Sequence, residues 1–316
     1  MPGAPKIAML RKRAEMLARA RQFFAARDVL EVDTPLLGKG LVVESHIDPI
    51  PCQVTIDGGA EQRHLLTSPE GPMKRLLAAG SGPIYQFAHA FRDGEVGKRH
   101  AIEFTMLEWY RPDFDHHALM AEVEALVHGL LPRVATQSFA RRTYRQVFLD
   151  SVGIDPFATS LRELRATCER LEVPIPPGFD DGSIDDALDL LLVAHIEPTL
   201  GQGRPLFVHD YPASQAALAQ IHEDQNGNHV AQRFELYING VELANGYHEL
   251  ADPLEQRQRF DQANRDREAR NRAPLPIDEP LIEALGTGFP PCAGVALGFD
   301  RVVMLATNSD NITDVR

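Results

Sequence analysis

Hydrophobic and polar positions change period several times along this chain. Ile7, Leu10, Ala14, Leu17 and Phe24 recur at helical spacing, which predicts an amphipathic N-terminal helix. From Pro83 to Arg92 the period drops to two. Tyr85, Phe87, His89 and Phe91 fall on one face, and Ile84, Gln86, Ala88, Ala90 and Arg92 on the other. A polar loop, Asp93 to Ile102, leads into a second alternating run with Phe104, Met106, Glu108 and Tyr110 on one side, so the pair predicts a long-looped hairpin. Leu119, Val123, Leu126 and Leu130 return to helical spacing behind it.

The middle of the chain is helical by the same test. Ser160 with Glu163 three residues later reads as a capping box, opening a helix with Leu161, Leu164, Cys168 and Leu171 on one side. Pro174 to Gly178 is a loop, Ser183 caps a leucine-rich helix running through Ile196, and Asp252-Pro253 starts a polar helix with proline at its tolerated first position. Between these helices lies a third hairpin, Phe234–Ile238 and Val241–Gly246, around Asn239-Gly240, the dipeptide favoured in a two-residue type I′ turn. A regular hairpin pairs Ile238 with Val241, Tyr237 with Glu242, Leu236 with Leu243 and Glu235 with Ala244. Glu235 and Glu242 then become diagonal neighbours, about 7–8 Å apart at the backbone. Two acids so placed either hold a cation between them or lie solvated on an open face.

The last informative segment is Gly294 to Arg301, a strand running into a helix. Gly294, Ala296 and Gly298 share one face; Val295, Leu297 and Phe299 share the other. A nearly bare face either lets a ligand lie on the sheet or marks a glycine-tolerant core strand. Arg301 falls in the first helical turn. Arg92 and Arg301 suit phosphate, because the planar guanidinium donates parallel hydrogen bonds.

Composition narrows the function without deciding it. The formal charge is 32 − 45 = −13, which disfavours a broad nucleic-acid surface. Basic clusters at Lys6 to Arg21 and Arg257 to Arg272 read mostly as solvated helix faces. Cys52, Cys168 and Cys292 have no metal-ligand or disulfide-framework spacing. No signal core or membrane-length apolar run is present, so a cytoplasmic protein without a membrane partner is expected.

Thr67-Ser68-Pro69-Glu70, Phe104-Thr105-Met106-Leu107-Glu108-Trp109-Tyr110, Glu242-Leu243-Ala244-Asn245-Gly246-Tyr247-His248-Glu249 and the Gly294–Arg301 strand resemble motifs of the class II aminoacyl-tRNA synthetases, in the lysyl branch. Phe23 to Pro35 resembles motif 1, the dimer-forming element. The resemblance covers nearly the whole chain and implies an α+β fold, an antiparallel β-sheet flanked by helices. It implies one catalytic domain over residues 1–316, with a helical insertion at about 140–205. Only about 20 residues precede motif 1, so no anticodon-binding domain is expected. Ala296 stands where the tRNA synthetases have glycine. That change, with Ser214-Gln215-Ala216 and Gly294-Val295-Ala296, favours the paralogues that modify a protein rather than tRNA.

The resemblance implies ATP-dependent activation of (R)-β-lysine and its transfer to a lysine of translation elongation factor P. An α-lysine-activating enzyme with another acceptor and a non-catalytic regulatory paralogue remain open. Arg92 and Arg301 would be catalytic. Ser68, Pro69, Glu70, Tyr110, Asn245, Glu249 and Ala296 would bind the amino acid, Glu70 taking the backbone-side amine and Glu249 with Tyr110 the distal ammonium. Arg92, Asp93, Gly94, Glu95, His100, Ala101, Phe104, Glu242, Leu243, Gly298 and Arg301 would bind ATP, with Phe104 stacked on adenine. Glu235 and Glu242 would hold Mg²⁺. A homodimer with no tRNA partner is implied. The loop after Arg92 departs from the family pattern: Gly94 replaces a glutamate that meets the adenine amino group, which Glu95 would replace after a one-residue shift, and Ala101 replaces an asparagine.

Overall fold

The computed structural model describes residues 7–133, 136–179 and 182–316. The chain divides into two compact units, Met1–Val134 with Glu249–Arg316, and Ala135–His248. Both combine helices with a mainly antiparallel sheet, the expected α+β class.

The first unit opens with α1 (Ile7–Ala25). Its buried stripe is Met16, Ala20 and Phe24, whereas Ile7 and Leu10 are 65% and 37% exposed and Ala14 is also exposed. The expected stripe is therefore displaced. The reason is Arg13, which lies on the inward side and gives hydrogen bonds to Asp300 and to Thr105 Oγ1. A charged residue on a buried face is invisible to apolar periodicity.

Strand β1 (Leu30–Glu31) and the small sheet of β2 (Leu37–Gly38), β3 (Ile50–Ile56) and β4 (Gly59–Leu65) follow, then α2 (Glu70–Ala78). β5 (Ile84–Phe91) and β6 (Glu103–Pro112) form the expected long-looped hairpin, in register Ile84↔Tyr110, Gln86↔Glu108 and Ala88↔Met106. The hydrophobic underside packs on helices. Tyr85 stacks on Phe24 at 4.2 Å, and the buried Trp109 donates to Glu122 at 3.1 Å. Glu122 belongs to α3 (His116–Leu130), which buries the predicted Leu119, Val123, Leu126 and Leu130. Each such side chain contributes roughly 1.5–3 kcal/mol on leaving water, enough to fix which face of the hairpin turns outward.

The second unit contains β7 (Ala140–Thr143), α4 (Tyr144–Val152), α5 (Leu161–Arg170) and α6 (Ile184–Leu191). Ser160 caps α5, its Oγ accepting from the Glu163 amide, but Glu163 does not return the bond: its carboxylate accepts from Thr159 instead. Ser183 caps α6 in a full capping box with Asp186, and a π-helical turn continues to Ile196. β8 (Leu206–Pro212), β9 (Ile221–Glu223), β10 (His229–Ile238) and β11 (Val241–His248) complete its sheet, ordered β7-β8-β10-β11 with β9 on β10. Asn239 and Gly240 take φ of 52° and 67°, as a type I′ turn requires.

The pairing beyond that turn differs from expectation. Ile238↔Val241 and Tyr237↔Glu242 hold, but then Leu236 meets Ala244 and Glu235 meets Asn245. Leu243 is the extra residue of a β-bulge, which local alternation does not signal.

The chain then returns to the first unit. Asp252 caps α7 (Pro253–Ala269), α8 (Glu279–Gly286) follows, and β12 (Cys292–Gly298) pairs with β6 before α9 (Phe299–Thr307). The order in this unit is β1-β5-β6-β12. Among the described residues no helix is long and apolar enough to cross a membrane.

Candidate active site

One face of the first unit's sheet carries Gln86 and Ala88 on β5, Phe104, Met106, Glu108 and Tyr110 on β6, and Gly294, Ala296 and Gly298 on β12. From Phe104 to Tyr110 this strip is about 20 Å long at strand spacing. Its two ends have different chemistry.

At the Tyr110 end the groups are acidic and buried. Ser68 and Pro69 lead into α2, the Ser68 Oγ accepting from the Glu70 amide at 3.4 Å. Glu70 is the first residue of α2, and Lys74 follows one helical turn later on the same side. The Lys74 ammonium lies 2.6 Å from Glu70 Oε1 and 2.6 Å from Glu249 Oε2, and the lysine is only 1% exposed. Burial alone would lower the Lys74 ammonium; the charges of Glu249 and Glu70 overcome this and hold it well above its ordinary value. Burial raises Glu249 to about 7, against the opposing pull of Lys74.

Glu108 completes the cluster. It is 2% exposed, and its Oε1 accepts from the Tyr110 hydroxyl at 2.6 Å. Its Oε2 is buried with no hydrogen-bond partner. Burial, followed by the nearby Glu70 charge, holds its carboxyl well above the usual range. On the adjacent strand, Gln86 accepts from Thr34 at 2.8 Å, but its Nε2 is buried and without a partner. A buried donor and a buried acceptor are thus both unmet at paired positions, a cost of about 1–3 kcal/mol each, which a polar ligand or water would remove. On the other side of Glu108 lies Ala296, only partly buried.

The glycines of β12 serve a purpose different from the expected open ligand floor. A Cβ at Gly294 would collide with Glu249 Oε1 and the Tyr110 ring, so its bareness makes room for the protein's own pocket wall. At Gly298 the aliphatic part of Arg301 lies across the backbone, 3.5 Å from where a Cβ would be.

At the Phe104 end the groups are basic. Arg92 lies over the Phe104 ring, 5.2 Å from its centre, and 3.7 Å from Glu95. Its Nε is buried without a partner. Asp93 is tied back by its amide to Asp48, and Gly94 turns the chain at φ 75° while its amide donates to the Asp93 side chain. His100 and Ala101 close the loop, and His100 Nε2 lies 2.8 Å from an Arg301 nitrogen. The hairpin loop and the start of α9 therefore meet.

In the second unit, Glu235 is 7% exposed and heavily bonded. Its Oε2 accepts from Tyr211 at 2.7 Å and Tyr237 at 2.5 Å, and its Oε1 from Arg233. Glu242 sits across from Tyr237, and Asn245 across from Glu235. The Asn245 Oδ1 accepts from Arg233 at 3.3 Å, and its Nδ2 donates to Tyr247 at 3.0 Å. A carboxylate offers about four lone-pair sites; among the described residues three donors meet Glu235, which leaves one. Among the described residues no group of three or more His, Cys, Asp or Glu gathers as a metal site.

Sequence reading missed Lys74 and gave Glu108 no separate role. The signal for Lys74 was present, an acid and a lysine four residues apart on one helix, but that pattern usually marks a solvated surface pair.

The description tRNA synthetases class II (D, K and N) matches residues 5–316. The chain is 46% identical to an elongation factor P–(R)-β-lysine ligase of Yersinia enterocolitica, over 99% of this chain and 95% of that protein. It is 45% identical, with the same coverage, to the proteins of that name from Yersinia pestis and Yersinia pseudotuberculosis.

Proposed function

Because the chain belongs to the class II tRNA synthetases of the D, K and N group, we propose that it is an ATP-dependent ligase that activates (R)-β-lysine and transfers it to a lysine of elongation factor P, as its relatives are named for doing. In the first step a carboxylate oxygen of the amino acid attacks the α-phosphorus of ATP and pyrophosphate leaves. In the second the acceptor amine attacks the acyl carbon, AMP leaves, and the amine proton passes to solvent. The protein supplies no nucleophile; it positions the reactants and offsets developing charge.

The observation that carries this reading is a sheet face with a buried acid pocket at one end and basic groups, Arg92 and the Arg301–His100 contact, at the other. Glu70 and Glu249 receive ammonium groups, with Ser68, Pro69 and Tyr110 shaping the pocket; Asn245 is assigned to the amino acid as well. Ala296, beside Glu108, narrows the floor and favours the amine shifted by one carbon. Arg92 is assigned the α-phosphate, Phe104 the adenine ring, and Arg301 with His100 the outer phosphates. Asp93, Gly94, Glu95, Ala101 and Gly298 are also assigned to ATP, Glu95 replacing the missing adenine partner, and so is Leu243. Glu235 and Glu242 are assigned Mg²⁺. The set fits, since magnesium takes one or two carboxylates and fills its remaining positions with phosphate and water, and the remaining Glu235 lone pair suffices. When bound, the ion supplies Lewis-acid neutralisation of phosphate charge. A homodimer formed through the motif 1 region, acting without tRNA in the cytoplasm, belongs to the same proposal.

Mass spectrometry of elongation factor P after incubation with the protein, ATP and each lysine isomer tests the reading. We expect one added lysyl residue, formed faster from (R)-β-lysine than from α-lysine, with matching ATP–pyrophosphate exchange. Exchange with α-lysine alone would replace the substrate, and no exchange with either would remove the enzyme.

A further inference from the structure

The amine pocket already contains an amine. Lys74 is as buried as the acids around it, and it touches both glutamates assigned to the substrate. The groups facing one another are Glu70 and Lys74 from α2, Glu108 and Tyr110 from β6, Glu249 after β11, and the Cys292 thiol and Ala296 from β12, with Gln86 from β5 beside Glu108. Among the described residues, three carboxyls therefore share one cation.

We infer that Lys74 is a positioning residue of this pocket, tying Glu70 to Glu249, and that Glu108 is the reserve acid, protonated in the free protein and ionised when a ligand with two ammonium groups enters. The inference rests on the proposed diamino-acid substrate. Three ionised carboxyls against Lys74 would leave two uncompensated negative charges in a buried space, which is strongly unfavourable. Keeping the proton on Glu108 leaves one. An entering monoamine cancels that charge and requires nothing more. A diamine overshoots it by one, and Glu108 restores neutrality by losing its proton to solvent. Glu108 is suited to this because its Oε2 has no partner to lose. Tyr110 holds Oε1 in either state. Lys74 in turn keeps Glu249 available as an anion; without that ammonium, burial would leave Glu249 protonated to higher pH.

Two measurements test this. The first is calorimetric titration of the wild-type protein, without ATP, in buffers of different ionisation enthalpy. Both lysine isomers are expected to release about one proton per site more than β-alanine, which has one ammonium, near neutrality. Equal proton release by diamine and monoamine, or none by either, overturns the reserve-acid assignment. This readout needs no turnover, so it stands apart from the identity of the reaction, which fails only if the wild type activates neither isomer.

The second compares Lys74→Met and Lys74→Arg with the wild type in exchange assays from pH 6.5 to 9. In Lys74→Met the KM for the amino acid should rise about tenfold or more at pH 7 and recover towards pH 9, while the KM for ATP holds; Lys74→Arg should restore most of the loss. A KM unchanged at pH 7, or a loss flat across the range, overturns the positioning role. ATP binding by calorimetry reports whether Lys74→Met is folded; if it is not, Lys74→Arg with its pH profile carries the comparison.

Discussion

Glu235 in the second unit and Glu108 in the first are both strand glutamates removed from water, yet their oxygens meet different surroundings. Two phenols and a guanidinium converge on Glu235. Glu108 has one phenol on Oε1 and nothing on Oε2, with two further glutamates sharing a single lysine nearby. A carboxylate held by three protein donors is a fixed part of the architecture, with one lone pair left open. One left short of partners in a buried space carries an energetic cost that only a ligand relieves. The contrast separates a framework acid from a pocket acid without reference to any relative.

The strongest break in that contrast is at Glu249. Glu249→Gln removes one of two carboxylates from a buried ammonium and from the site of the ligand amine. Breaking such a pair costs about 3–5 kcal/mol. Amino-acid-dependent ATP–pyrophosphate exchange should fall by about 10²–10⁴-fold in kcat/KM, with ATP binding retained. A loss under tenfold would mean that Glu249 is framework rather than pocket.

Gly294→Ala attacks the same wall sterically. The added methyl meets Glu249 and Tyr110, and overpacking of this kind costs about 1–3 kcal/mol. The KM for the amino acid should rise about tenfold, with the KM for ATP unchanged. Rises in both would place the damage in the sheet as a whole.

These tests bear on what the sequence could reveal. The β5–β6 hairpin, its two faces, the Asn239-Gly240 turn, the buried stripe of α3 and the proline-led start of α7 were all legible, because each depends on local periodicity or a single capping residue. The union of Arg301 with the hairpin loop was legible only through resemblance, since nothing local to residues 99–100 points to residue 301. Three features were not legible. The bulge at Leu243 depends on packing across a sheet. The inward turn of Arg13 depends on Asp300, nearly the whole chain away. Lys74 depends on Glu249, supplied by a different element, which turns an ordinary surface-like helix pair into a buried one.

On the framework side, Tyr237→Phe removes one of the two phenols from Glu235 Oε2. Tyr211 still serves that oxygen, so the loss should be a single hydrogen bond to a charged group, about 1.5–3 kcal/mol at most. Urea unfolding of the whole protein should show a lower midpoint. Stability equal to the wild type would mean that Glu235 is not the framework acid described here.

The smallest effect is also the most specific, because its sign depends on pH. Glu108 is held above its ordinary value in the folded protein, by burial first and then by Glu70. Below about pH 4 the carboxyl is protonated in both folded and unfolded chains, and Glu108→Gln, which keeps the bond from Tyr110, should match the wild type. As pH rises past that point the unfolded chain loses this proton while the folded chain keeps it. The stability contributed by the protonated carboxyl therefore declines until the folded group also ionises. Glutamine carries no such linkage. The thermal midpoint of Glu108→Gln minus that of the wild type should be near zero in acid and grow as the pH rises. A saturating diamino acid should reverse the trend by favouring the ionised wild-type acid. A gap that stays constant, or narrows, as the pH rises would place Glu108 with Glu235 among the acids that the protein itself holds.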